Sequence, residues 1–198
     1  MNTNLLFTLF ILVVLQISVC AQTLRWPEMR GKKIQTFDWN CAQTGMYPKH
    51  ALKRVIEKAI PLEYRERSGT WGDRAVELKL TSKTNVYFVP LVCGTGGCSW
   101  HLYSLKPTRY LGEISGEHFY TYRSLKGLPT IIAYGHMSVA EGVLTTYRFR
   151  SGKYRQSGVE YSIDNHGATE SEFFPGRKVE PMPKALEKAH ILCKAYGV

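Results

Sequence analysis

The sequence predicts an α+β domain: a twisted antiparallel β-meander sheet with an N-terminal and a C-terminal helix packed on it. Three observations carry that expectation. Across residues 86–163, runs rich in Val, Ile, Tyr, Phe, Trp and Thr alternate with Gly- and Pro-marked turns, the pattern of short antiparallel strands. Residues 48–60 place Leu52, Val55, Ile56, Ala59 and Ile60 at i, i+3, i+4, i+7 and i+8, one face of an amphipathic helix. Residues 183–196 put Leu186, Ala189, His190 and Cys193 on one helical face.

Taken in order, residues 5–19 form an apolar run closed by Val19-Cys20-Ala21 before Gln22, the small-residue cleavage pattern of a signal peptide. The run is shorter than the roughly 20 apolar residues that cross a bilayer. Residues 1–21 are therefore expected to be a signal peptide, even though Met1-Asn2-Thr3-Asn4 lacks the usual Lys or Arg. The expected product is a single domain, residues 22–198, exported to the periplasm or the exterior, with no transmembrane segment after signal cleavage.

Residues 22–47 read as an irregular basic segment containing Trp26, Phe37 and Trp39, with a short strand at 33–37. The helix at 48–60 has Pro48 in its first turn and Pro61 closing it. The sheet is expected over 74–163, with strands at 76–80, 85–92, 100–105, 110–114, 118–122, 129–134, 143–150 and 153–163. The 85–92 strand is the most uniformly apolar and is expected to be central. Lys106-Pro107, Ser115-Gly116, Lys126-Gly127 and Ser151-Gly152 mark turns. Residues 165–177 read as a loop before the 183–196 helix. The rhythm from Trp100 to Gln156 resembles one blade of an FG-GAP β-propeller. That family's Asp/Asn-rich calcium loop is missing, so only the meander shape carries over.

Four of the five cysteines lie beyond residue 21. An even count in an exported chain reads as two disulfides. Cys93 and Cys98 flank the flexible Gly94-Thr95-Gly96-Gly97 turn, which favours pairing them and leaves Cys41 with Cys193. The long loop closed by Cys41–Cys193 would stabilise the domain by on the order of 4 kcal/mol in the chain-entropy model. The Cys-x-x-x-x-Cys spacing is not that of a zinc site, and neither a metal nor another cofactor is expected.

The formal net charge is +10, all of it beyond residue 21. Such an excess favours acidic partners. Its densest local expression is a hairpin: with Ser151-Gly152 as a two-residue turn, Arg150 falls opposite Lys153 and Arg148 opposite Arg155, while Phe149 pairs with Tyr154 on the other face. Four cations on one face repel, and an anion would relieve that; the same charges also protect a sheet edge from aggregation. Arg148, Arg150, Lys153 and Arg155 are thus the candidate anionic-ligand site, with neighbouring tyrosines available to stack. Gly94, Thr95, Gly96 and Gly97 are a second candidate, as a rigid loop or a backbone anion nest. The third group comprises His101, His118, His136, Glu117 and Glu141. Within it His136 and Glu141, with Ser138, could imitate a hydrolase set, although no Gly-x-Ser-x-Gly elbow is present. His101 is expected on an exposed face and residues 135–142 in a mobile loop.

The segment from Phe88 to Trp100 with Cys93-Gly94-Thr95-Gly96-Gly97-Cys98 at its turn, followed by Thr146-Tyr147-Arg148-Phe149, resembles small exported bacterial proteins built around a Cys-Gly-rich-Cys hairpin. The resemblance implies an exported location and brings no activity with it. The function expected first is a non-catalytic binding protein for an acidic polymer or anionic envelope component. The second is a secreted inhibitor that presents the Cys93–Cys98 loop to a protein partner, an envelope-attacking enzyme. The third is a hydrolase working through His136 and Glu141.

Overall fold

Strands make up 62% of the described residues, which in this computed structural model are 29, 31–38, 43–44, 74–79, 85–123, 127–158 and 160–191. The strands are β1 (Ile34–Asp38), β2 (Gln43–Thr44), β3 (Arg74–Lys79), β4 (Asn85–Gly94), β5 (Gly97–Leu105), β6 (Thr108–Gly116) and β7 (His118–Tyr122), then β8 (Thr130–His136), β9 (Glu141–Arg150), β10 (Lys153–Gln156), β11 (Tyr161–Asp164), β12 (Val179–Glu180) and β13 (His190–Ile191). The one helix among these residues, α1, is Lys184–Glu187. This overturns the α+β expectation of a sheet carrying two packed helices: the described chain is two sheets.

The first sheet runs β12-β11-β9-β8-β7-β1-β13, with β10 also on β9, and the second runs β2-β3-β4-β5-β6. The meander from Trp100 to Gln156 is therefore divided between two sheets and is not a single propeller-like blade. Residues 153–163, expected as one strand, are two: β10 and β11 occupy successive halves of β9, separated where Gly158 takes a φ of 96°. β4 is central in its sheet, and its Pro90 is tolerated because the register shifts between Pro90 and Val92, a bulge that spares a ladder hydrogen bond.

Period-two alternation explains how the layers pack. Ile131 and Ala133 of β8 face the second sheet and join Phe88, Trp100 and Phe119 in one core. Ile132 and Tyr134 face the other way and join Ile34, Leu144, Ile163 and Leu186 in a second. The centre of the first core is aromatic: Phe119 stacks on Phe37 at 5.1 Å and meets the edge of Trp100 at 5.5 Å. Buried Trp100 donates its indole N–H to Gly116 O at 3.0 Å, which satisfies its one polar group.

The C-terminal helix expected over 183–196 reduces to the four residues of α1. Its N-cap, Pro183, makes no side-chain capping bond, and a segment this short gains little from helical hydrogen bonding. Beyond Lys188 the chain extends, and His190–Ile191 pair in parallel with Gln35 and Thr36 of β1. Completing a sheet edge satisfies backbone groups that a continued helix would have left open on β1. Leu186 still supplies the apolar contact that the helical spacing announced. The helix expected at 48–60 lies outside the described residues, as do residues 192–196, Cys41 and Cys193.

The basic hairpin is seated by Gly112 of β6. A Cβ there would lie 2.8 Å from Tyr154 O, and the residue's φ is +119°, a conformation L side chains rarely adopt. Gly112→Ala is expected to destabilise the fold by about 1–3 kcal/mol, because Tyr154 backbone must give way. Urea unfolding checks this; an unchanged midpoint would show that β6 and β10 are not in close contact.

Candidate functional site

The candidate site is the hairpin of β9 and β10. Ser151 and Gly152 form its two-residue turn with φ of 49° and 83°, both left-handed as a tight hairpin of this twist requires. The turn fixes the register, and Lys153 pairs with Arg150, Tyr154 with Phe149 and Arg155 with Arg148. Arg148, Arg150, Lys153 and Arg155 are all exposed, and among the described residues none of them forms an ion pair. β8 pairs with β9 only as far as Tyr147, so the four cations sit on a two-stranded ribbon that runs past the end of β8.

The opposite face of the ribbon is fixed to the body. Tyr154 is buried and donates its hydroxyl to Pro129 O at 3.0 Å, and its ring meets the Phe149 ring at 5.4 Å. Burial pushes the Tyr154 phenol well above its ordinary range. Tyr147 accepts a hydrogen bond from Ser115 N–H. The tyrosines expected to stack on a ligand are thus turned inward, which corrects that part of the sequence reading. Two further contacts come from β6: the Arg109 guanidinium lies 5.3 Å over Phe149, and the Lys153 ammonium lies 5.2 Å over Tyr110. Exposed Arg109 brings a cation to the opposite, Phe149 face of the ribbon that local sequence could not assign, because it arrives from a different sheet.

At the other end of β9 the Cys93–Cys98 loop meets part of the third candidate group, Glu117, His118 and His136. Cys93 and Cys98 are disulfide-bonded, S–S 2.02 Å, as the turn between them predicted. The loop does not stand free: a Cβ on Gly96 would lie 2.7 Å from His136 O. Next to it, Glu117 Oε2 is 3.3 Å from His136 Nδ1 and 3.9 Å from His118 Nε2. Tyr134 lies between the two imidazoles in ring contact with both, and donates its hydroxyl to Asn165 Oδ1 at 2.9 Å. Among the described residues, no group of three or more His, Cys, Asp or Glu could hold a metal ion.

Glu141 belongs to neither histidine. It is buried, accepts a hydrogen bond from Ser171 Oγ at 2.5 Å and another from Glu172 N–H at 3.0 Å, and thereby ties the 171–174 loop to β9. Burial pushes its carboxyl up, but those hydrogen bonds outweigh it and leave the group below the usual carboxylate value. Ser138 Oγ accepts from the N–H groups of Ala140 and Glu141, and Met137 and Ser138 N–H both donate to Glu141 O. Residues 137–140 are therefore a hydrogen-bonded turn, where a mobile loop was expected.

His101 is also displaced from its expected exposed position: it is buried, 3.2 Å from the Tyr103 hydroxyl through Nδ1 and 3.5 Å from Glu113 Oε2 through Nε2. Burial lowers its pKa, with Glu113 acting in the opposite direction. Glu113 also accepts a hydrogen bond from Ser99 Oγ, so the serine is bound to the acid and not to the imidazole. No helix among the described residues is long and apolar enough to cross a membrane. Comparison with protein-family models, with curated proteins and with solved structures gives no match.

Proposed function

We propose that the chain is an exported, non-catalytic binding protein that holds an acidic ligand of the envelope or exterior on Arg148, Arg150, Lys153 and Arg155. The observation that carries this reading is the hairpin register. It stacks the four cations as two cross-strand pairs on one exposed face, without an acidic partner among the described residues. Directly opposed like charges cost a few tenths of a kcal/mol per pair. A chain that only needed a protected edge could meet that need with fewer charges. The net charge of +10 steers anions toward the molecule at long range.

The test compares wild type with the R148S/R150S/K153S/R155S variant for binding to linear polyphosphate, an acidic polysaccharide and anionic vesicles at low and high salt. Wild type is expected to bind at least one of them, weaken steeply as salt rises, and lose most of that affinity in the variant. Equal binding by both proteins would reduce the basic face to edge protection.

A protein-binding role for the opposite end is the second reading. It is supported by Met137 and Val139, which are 37% and 79% exposed on the turn beside the disulfide-closed loop. A rigid loop loses little entropy when it inserts into a partner. The hydrolase reading is not carried forward, since His136 faces Glu117 while Glu141 and Ser138 are engaged in holding loops.

A further inference from the structure

We infer that the ligand of the basic ribbon is a linear glycan carrying sulfate or phosphate groups, bound by charge alone, one charged group to each cross-strand pair of cations; this rests on the anionic-ligand reading above. Arg150 with Lys153 forms one rung and Arg148 with Arg155 the next. Rungs on one face of a strand pair are two residues apart, about 7 Å, and the partners within a rung are about 5 Å apart. Each rung therefore suits one oxyanion held between two cations, and two rungs suit neighbouring charged groups of an extended chain. Arg adds bidentate geometry toward sulfate or phosphate oxygens.

What the ribbon lacks among the described residues narrows the class further. Binding of single-stranded nucleic acid combines cations with aromatic rings on which bases stack. Here Tyr154 and Phe149 pack against each other on the inner face. The two rings at the margin are already covered, Phe149 by Arg109 and Tyr110 by Lys153. A lipid surface would want apolar side chains beside the cations to enter the acyl boundary. Exposed Met137 and Val139 lie instead next to the start of β9, and the six residues 141–146 separate them from the ribbon by about 20 Å.

The experiment measures binding of dextran sulfate, an oligothymidylate, its abasic counterpart of equal length, and duplex DNA across a salt series. The proteins are wild type and two rung variants, R150S/K153S and R148S/R155S. Unchanged thermal melting of the variants shows that they are folded. Dextran sulfate is expected to bind at least as tightly as any nucleic acid, and the oligothymidylate no more tightly than the abasic chain. Each rung variant should lower the slope of log affinity against log salt by roughly 0.7–0.9, the loss of the one charged group that rung neutralises. An oligothymidylate that binds tenfold tighter than its abasic form, or duplex DNA that outbinds dextran sulfate, overturns the glycan inference and leaves the anionic-ligand reading standing. Failure of every polymer to bind, or slopes unaffected by both variants, overturns the two together.

Discussion

Replacing Phe119 with alanine is expected to lower the stability of the fold by about 3–5 kcal/mol. Phe119 is fully buried and its ring touches three others, Phe37 at 5.1 Å, Trp100 at 5.5 Å and Phe88 at 5.9 Å. Those rings come from both sheets, so the cavity would open between the layers, where neither sheet can collapse into it without breaking its own ladder. The loss would consume a large part of the 5–15 kcal/mol by which domains are stable. Phe119→Leu, which keeps most of the volume, should cost clearly less. Urea unfolding of both variants tests this. A loss below about 1 kcal/mol for the alanine variant would mean that the two sheets do not share this aromatic core.

The second large effect is expected at Glu141. Glu141→Ala leaves Ser171 O–H and Glu172 N–H without their acceptor, and two orphaned donors cost about 2–4 kcal/mol together. The pH dependence distinguishes this anchoring role from a titration of no consequence. Because the folded carboxyl titrates below its ordinary value, the unfolded chain binds its proton first as pH falls. The stabilisation is present above the unfolded pKa of about 4.3 and is lost as pH drops through the lower folded value. Glu141→Gln should therefore show a flatter acid limb than wild type, and the gap between the two should close below about pH 4. Parallel acid limbs would show that the carboxylate is not what holds residues 171–174.

Features fixed by local chemistry were legible in the sequence. The Ser151-Gly152 turn sets which residues oppose each other for several positions on either side, so the Arg150–Lys153 and Arg148–Arg155 pairs followed from eight residues of chain. Cys93 and Cys98 were joined by the same logic, and the strand spans from β3 to β9 agree with the alternation to within a few residues. Partners across the fold were not legible. Glu117 and Glu141 look alike in sequence, and only the return of the chain from β6 to β7 brings Glu117 to His136, while the 171–174 loop takes Glu141. Arg109 has no local signature that would send it to Phe149.

The amino-acid sequence by itself determined the strands from β3 to β9, the Ser151-Gly152 turn, the Cys93–Cys98 closure and the order of charges along the ribbon. Each depends on side-chain period or on backbone freedom within a few residues. Tertiary structure decided the rest: that the strands divide into two sheets, that His190–Ile191 extend β1 in place of continuing a helix, and that the aromatic face of the ribbon turns inward. Backbone donors and acceptors are chemically alike in every strand, so pairing between distant segments is chosen by which apolar faces can be buried together. That choice left the cations on the outside, and with them the surface on which an anionic chain could lie.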